Sequence, residues 1–120
     1  MLEILPIEDK ILQESLCLRC GIKFDAELMA YGAYIDGKPV GVCQFTVKND
    51  VGILIDLTTT HETSNDKPLF ALGLAVLNFL DLCGAHTAKC ETKIADEALL
   101  RSIGFSRTDK GYFEIKLSEN

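Results

Sequence analysis

Apolar residues recur at two spacings along the 120-residue chain, and the alternation between them predicts a mixture of helices and strands. Helical spacing covers residues 8–20, 69–83 and 96–103, each followed by a glycine that favours a helix end. The second of these helices is apolar nearly all round, which predicts burial beneath another element or in a homodimer interface. In the first helix we expect a core face made of Ile11, Leu12, Leu16 and Cys20.

Runs with strand character fill most of the remaining sequence, and residues 23–28 fit a short helical turn. The predicted strands cover residues 2–5, 29–35, 40–47, 51–60, 85–91, 105–108 and 112–117. Asp36-Gly37 between two apolar runs is a strong signal for a β-hairpin. The resulting order, β-α-β-β-β-α-β-α-β-β, predicts an α+β or mixed α/β fold in a single domain over residues 1–120.

Composition narrows the classes of partner. Apolar residues make up 48% of the chain, enough for one core, and the net charge is −6. Sequence-independent nucleic-acid binding requires a basic surface, so it is not expected. The most apolar stretch, residues 68–83, is too short to span a bilayer and contains Asn78 and Asp81. We therefore expect a cytoplasmic protein without a membrane partner, and the acidic balance favours a cationic partner such as an amine.

The cysteines are odd in number, and most of them lie within apolar runs: Cys17, Cys20, Cys43, Cys83 and Cys90. That pattern is typical of reduced, buried thiols rather than of a disulfide framework. Cys17-x-x-Cys20 and Cys83-x-x-His86 together have the composition of a Cys3His zinc site. Because the helical period already explains the first pair as core residues, we expect no metal.

Three segments, in this order and at this spacing, carry a resemblance to a known family. They are AYIDGKPVGVCQF (33–45), IDLTTTHETSNDKPLFALGLAVLNFLDLCGAHTAKCE (55–91) and DEALLRSIGFSRTDKGYFEIKL (96–117). The chain resembles the GNAT superfamily, whose members usually transfer an acetyl group from acetyl-CoA to an amine. The resemblance implies a central, mostly antiparallel sheet flanked by helices, in which the 51–60 and 85–91 strands splay apart. It also implies a small-molecule or peptide amine as acceptor.

The resemblance implies that acetyl-CoA would bind at one strand, at one loop and beside one position of the last helix. Its acetyl and pantetheine groups would bind exposed backbone on the 51–60 strand, and its pyrophosphate would bind the loop before the long helix. Leu100 stands where the family often has a tyrosine that protonates the leaving thiolate. The candidate cofactor-binding residues are therefore Leu57, Thr58, Thr59, Ser64, Asn65, Asp66, Lys67, Leu69, Phe70 and Leu100.

The pyrophosphate loop departs from the family signature, Arg/Gln-x-x-Gly-x-Gly/Ala. Ser64 replaces its first residue, Lys67 its first glycine, and Leu69 or Phe70 its second. Pro68 also removes one N–H donor, and Asp66 adds negative charge. The same residues fit a helix N-cap followed by proline, so a phosphate site and a plain cap both stay open.

Asp56 is the candidate catalytic base that the resemblance implies, with Glu62 as a weaker second. A carboxylate between apolar residues in a central strand needs a partner or a function, so a structural role is equally open. Strict alternation divides this strand into two faces, with Ile53, Ile55 and Leu57 on one and Leu54, Asp56 and Thr58 on the other. Two hypotheses follow: an acetyl-CoA-dependent N-acetyltransferase, or a catalytically degenerate module on the same fold that binds a partner or dimerises.

Overall fold

The computed structural model describes residues 1–61 and 66–117, and its elements follow the predicted order. The strands are β1 Leu2–Pro6, β2 Met29–Ile35, β3 Lys38–Lys48, β4 Val51–Thr59, β5 Thr87–Glu91, β6 Ser106–Arg107 and β7 Tyr112–Lys116. The helices are α1 Lys10–Arg19, α2 Lys67–Leu82 and α3 Glu97–Ile103. The predicted α+β class is confirmed.

Within the described residues the strands form one seven-stranded sheet in the order β1-β2-β3-β4-β5-β7-β6. Every neighbouring pair is antiparallel except β4 and β5, which run parallel because α2 connects them. The predicted hairpin turn lies at Asp36 and Gly37, whose φ angles are 52° and 83°. Two consecutive positive φ angles match the right-handed twist of a two-residue hairpin, which explains the Asp-Gly pair.

The sheet buries a separate apolar cluster on each face. On one face α2 and α3 cover the larger cluster, which includes Phe45, Leu54, Leu57, Leu80 and Phe113. On the other face α1 covers a smaller cluster made of Ile7, Leu16, Cys17, Cys20, Ala30 and Val42. Of the helices in the described residues, none is long and apolar enough to cross a bilayer.

Helix α1 buries most of the predicted face, since Leu16 and Cys20 are buried and Leu12 packs against them, but Ile11 lies outside it. Asp9 caps the helix, with Oδ1 accepting from the N–H of Ile11 at 2.8 Å. Ile11 was expected in the core, but its side chain is 79% exposed, whereas Gln13 is fully buried. The ten-residue helix packs through the stripe of Gln13, Leu16 and Cys17, because Gln13 finds polar partners beneath the helix.

Two further predictions are wrong in detail. Residues 23–28 form an irregular loop with a turn at 26–27, not a helical turn. In β4 strict alternation fails: Gln44 of β3 pairs with Asp56 and Phe45 pairs with Leu54, so Ile55 is an extra, bulged residue. Leu54 and Leu57 consequently both belong to the α2 face, and Asp56 lies on the opposite face.

Candidate active site

Strands β4 and β5 part in the middle of the sheet, as predicted. Their parallel ladder begins at Val51 and Thr87 and ends at Leu54 and Cys90. Beyond that point β4 continues to Thr59, paired only with β3 on its other side. The bulge at Ile55 falls directly after the last β4–β5 pair, and a bulge bends and twists its strand. On the β5 side, the backbone of residues 55–59 therefore pairs with no strand of the described residues.

The split opens into a cavity of about 450 Å³. Its walls come from residues 55–58 of β4, from Glu91 at the end of β5 with Lys93 and Ile94 beyond it, and from the segment 20–22 that follows α1. Side chains do not fill the gap between the strands, and a cavity of this size accommodates a small ligand. Leu57 contributes backbone to this cavity, because its side chain is buried in the larger cluster.

Asp56 lies at this cavity and also lines a second one of about 530 Å³ beneath the 23–28 loop. Burial raises the pKa of its carboxyl above the ordinary value of 3.8, and the hydrogen bond from Gln44 partly opposes that shift. A raised pKa makes the carboxylate a stronger base. Asp56 is thus a half-buried carboxylate with access to a ligand cavity, the arrangement that a general base requires.

Gln44 donates a hydrogen bond to Asp56, and every donor and acceptor of its side-chain amide has a partner. Its Nε2 donates to Asp56 Oδ2 at 2.8 Å and to the Lys23 carbonyl at 2.9 Å. Its Oε1 accepts from Gln13 Nε2 at 2.9 Å and from the Asp25 N–H at 3.3 Å. Two donors and two acceptors exhaust the hydrogen-bonding capacity of the group, so Gln44 can occupy a fully buried position.

The amide pair ties α1 and the 23–28 loop to the strand that carries Asp56. Lys10 extends the network, because its Nζ donates to Gln13 Oε1 at 3.0 Å and to the Leu28 carbonyl at 2.6 Å. One polar network therefore fixes the carboxylate and the loop that covers one side of it. Sequence reasoning missed Gln13 and Gln44, although Gln44 is the single amide within the apolar run VGVCQF and Gln13 shares a helical stripe with Leu16 and Cys20.

The start of α2 forms a second part of the candidate site, separate from Asp56. Asp66 is the N-cap residue, but its side chain makes no capping hydrogen bond, and Pro68 follows within the first turn. Asp66, Lys67 and Phe70 line a surface cavity of about 400 Å³ together with Ala98, Leu99 and Ser102 of α3. If this segment were only a helix cap, the N-cap side chain would be expected to accept a hydrogen bond from the first turn, and Asp66 accepts none.

The remaining candidates differ in exposure. Leu69 is half-buried against the larger cluster, and Thr58 and Thr59 are half-buried on β4. Leu100 is fully buried in the same cluster, so its neighbour Leu99, rather than Leu100, borders the groove at α2. Ser64, Asn65 and the second candidate base, Glu62, lie outside the described residues.

The four residues considered for zinc do not come together. Cys17 and Cys20 are buried beneath α1 on one face of the sheet, whereas Cys83 is the exposed C-cap residue of α2 on the other. His86 is exposed at the start of β5. Within residues 1–61 and 66–117, no group of three or more His, Cys, Asp or Glu side chains could hold a metal ion.

Solved structures provide the comparison, because neither a family model nor a curated protein matches the sequence. The ribosomal-protein-S18-alanine N-acetyltransferase of Escherichia coli is 16% identical and superimposes with a TM-score of 0.78, covering 100% of this chain and 96% of its own. The IAA acetyltransferase of Bacillus cereus is 13% identical with a TM-score of 0.74, covering 91% and 79%. A GNAT family N-acetyltransferase of E. coli in complex with CoA is 16% identical with a TM-score of 0.73, covering 99% and 82%.

The chain has the GNAT fold. The fold that the sequence resemblance implied is thereby confirmed, including the splayed pair of central strands. On this GNAT fold the cavity at Asp56 and the groove at the start of α2 are the two places where the chain could act on a ligand. The identities are too low to carry an activity across from the similar proteins.

Proposed function

We propose that the protein is an N-acetyltransferase of the GNAT superfamily that transfers an acetyl group from acetyl-CoA to an amine. The observation that carries this proposal is the open β4 edge beside Asp56. Unpaired peptide groups of residues 55–59 can bind an extended ligand as an added strand would, independently of side-chain identity. The absence of the family's glycines elsewhere does not affect this part of the site.

Asp56 supplies the proton chemistry in this proposal. It removes a proton from the acceptor ammonium, directly or through one water molecule, and Gln44 keeps the receiving carboxylate oriented. Bound acetyl-CoA would supply the acetyl group as a thioester. The neutral amine attacks its carbonyl carbon, the C–N bond forms, the C–S bond breaks to release the thiolate, and the nitrogen gives up its second proton to solvent. The proton for that thiolate comes from solvent, because Leu100 offers no acid and is buried.

The start of α2 fits acetyl-CoA only in part. The positive end of the helix dipole and the Lys67 side chain favour a diphosphate, whereas the Asp66 carboxylate opposes it. Asp66 and Lys67 are both exposed and adjacent, so their opposite charges provide a matched test. If the diphosphate binds in this groove, Asp66→Asn strengthens acetyl-CoA binding by about threefold and Lys67→Gln weakens it by about as much.

A second candidate function is a non-catalytic binding or dimerisation module on the same fold. It is favoured by the exposed apolar side chains on α2, since Phe70 is 39% exposed, Leu74 41% and Leu82 77%. Contiguous exposed apolar residues are typical of contact surfaces. Lys67 and Leu100, which depart from the family pattern, also favour a non-catalytic module.

A thermal-shift titration with acetyl-CoA separates the two functions. A ligand present at 100 times its dissociation constant stabilises the native state by about 2.7 kcal/mol, which raises the melting temperature measurably. The enzyme proposal expects this shift, with Asp66→Asn and Lys67→Gln moving it in opposite directions and Lys48→Gln, at the end of β3 that pairs with the start of β4, leaving it unchanged. Absence of any shift at millimolar acetyl-CoA would remove the basis of the enzyme proposal and favour the binding module.

A further inference from the structure

A further cavity lies beside the β4–β5 split. Its volume is about 580 Å³, and β4, β5 and the turn before β7 form its walls. Ile55, Glu91 and Lys93 also line the cavity at Asp56, so the two spaces adjoin. A ligand can therefore extend from Asp56 into this larger cavity.

The charge of this cavity is opposite to that of the chain. Lys89, Lys93 and Lys110 line it with Glu91 as the one acidic residue, whereas the whole chain carries a net charge of −6. The cavity at Asp56 contains one cation and two carboxylates, since Asp56 and Glu91 accompany Lys93. The two adjoining cavities thus differ in the sign of their lining charge, which is negative at Asp56 and positive in the cavity beyond it.

None of the three lysines forms an ion pair within the described residues, where the ion pairs involve Met1 with Asp36 and Glu97 with two arginines. Glu114 is the cross-strand partner of Lys89, yet the two side chains form no ion pair. The Lys89 ammonium lies 5.3 Å from the centroid of the Tyr112 ring, a cation–π contact.

We infer that this cavity binds an anionic group of the acceptor, so that the preferred acceptor is an amine that also carries a carboxylate. The inference rests on the proposed function, because Asp56 would face the amine end while the lysines face the anionic end. A volume of about 580 Å³ suits an acceptor of amino-acid to dipeptide size. The acidic balance of the whole sequence favoured a cationic partner such as an amine, and the local charge adds an anionic group to that acceptor.

Binding of two matched peptides tests the inference without any acetyl transfer. The probes are alanyl-aspartate amide and alanyl-asparagine amide, which have the same shape and differ by one negative charge. Binding is measured by isothermal titration at low salt, with and without CoA. We expect the acidic peptide to bind about fivefold more tightly, the effect of two or three partly exposed charge pairs, and the preference to shrink in high salt.

Two double variants locate the effect. Lys93→Gln with Lys110→Gln should reduce the preference below about twofold, whereas Lys38→Gln with Lys48→Gln changes the net charge equally at the two ends of β3, outside the cavity lining, and should preserve it. Equal binding of the two peptides, no binding of either, or an equal loss in both double variants would overturn the inference. The acetyl-CoA thermal shift of the same variants is measured separately, so a failure of the proposed enzyme function is recognised independently.

Discussion

Gln13 donates a hydrogen bond from Nε2 to Oε1 of Gln44 at 2.9 Å, and the chain contains no other glutamine. Both side chains are fully buried, on α1 and β3 respectively. Their contact joins the helix on one face of the sheet to the carboxylate of Asp56 on the next strand. A buried polar pair is destabilising unless every donor and acceptor is used, and none of the buried side-chain nitrogen or oxygen atoms in the described residues lacks a partner.

The amide pair predicts non-additive effects on stability. Gln44→Leu removes one hydrogen-bond partner from Gln13, from Asp56 and from two backbone groups, and we expect it to lower the free energy of unfolding by about 2–4 kcal/mol. Gln13→Leu should be destabilising for the same reason. Because the bond between the two glutamines is lost in either single variant, the double variant should lose about 1–3 kcal/mol less than the sum. Urea denaturation of the four proteins measures the difference, and strictly additive losses would show that the glutamines do not interact.

Asp56 predicts a distinctive dependence of stability on pH. Burial raises its pKa in the native state above 3.8, so the native state binds more protons than the unfolded state between these two pKa values. The free energy of unfolding attributable to this group therefore falls as pH rises through that window. Asn does not titrate, so Asp56→Asn should become progressively more stable relative to the parent as pH rises from about 3.5 through the raised native pKa of Asp56.

Urea midpoints of the parent and of Asp56→Asn across this range measure the effect. Exposed Asp109→Asn, in the β6–β7 turn, is the matched control, and it should run parallel to the parent. A constant difference between Asp56→Asn and the parent, or one of opposite slope, would contradict a raised pKa at Asp56. If Asp56 is also the catalytic base, kcat/KM falls on the acid side with a pKa above that of an ordinary aspartate.

Periodicity and turn chemistry predicted the order of the elements because those signals are local. Asp36-Gly37 and the glycines after each helix each fix a boundary by their own backbone preferences. Alternation could not predict which side chains of β4 share a face of the sheet, since a bulge at Ile55 is defined by the pairing between two strands. The strand split was implied by resemblance and not by any residue of β4 itself.

Within α1 the place of Ile11 was mispredicted because the helix contains two competing stripes. Ile11 and Leu18 form an apolar pair seven residues apart, but both are about four-fifths exposed. Gln13 lies on the buried stripe with Leu16, and only the presence of Gln44 on the sheet below makes that burial favourable. The candidate site depends on such contacts between distant segments, which explains why its supporting residues were not recognisable from sequence.

The cysteines predict one fast-reacting thiol in the native protein. Burial raises the pKa of Cys17 and Cys20 to about 11 and that of Cys90 to about 12, and it also raises the pKa of Cys43. The thiolate is the reactive form, so these buried groups should react slowly with a disulfide reagent near pH 8 (about one unit below the ordinary pKa). Cys83 is the one exposed thiol, and all five cysteines are free.

Titration with Ellman's reagent checks this prediction. One equivalent should react rapidly in the native state, and all five should react in denaturant. Cys83→Ser should abolish the rapid phase and leave four slow thiols. A rapid phase of two or more equivalents, or one that survives Cys83→Ser, would mean that the thiols beneath α1 are accessible in the native state.

Position 52, in the centre of the sheet, has too little space for a side chain larger than that of glycine. It lies on β4 between Val47 and Ala88, and an added Cβ would stand 2.5 Å from Cδ1 and 2.9 Å from Cδ2 of fully buried Leu80. Replacing glycine by alanine restricts the unfolded chain and would by itself stabilise the protein by about 0.4–1 kcal/mol. Both terminal carbons of Leu80 must move to admit the methyl group, so we expect Gly52→Ala to lower stability by about 1–3 kcal/mol overall.

The sign of that change follows from contact with Leu80, and a second substitution isolates it. Leu80→Ala alone opens a cavity in the larger cluster and should cost about 2–5 kcal/mol. In the Leu80→Ala background the methyl group of Gly52→Ala has room, so adding it should be neutral or stabilising. Free energies of unfolding from urea denaturation provide the comparison. If Gly52→Ala destabilises both backgrounds equally, the limit lies in the backbone of β4 and not in the packing of α2 against the sheet.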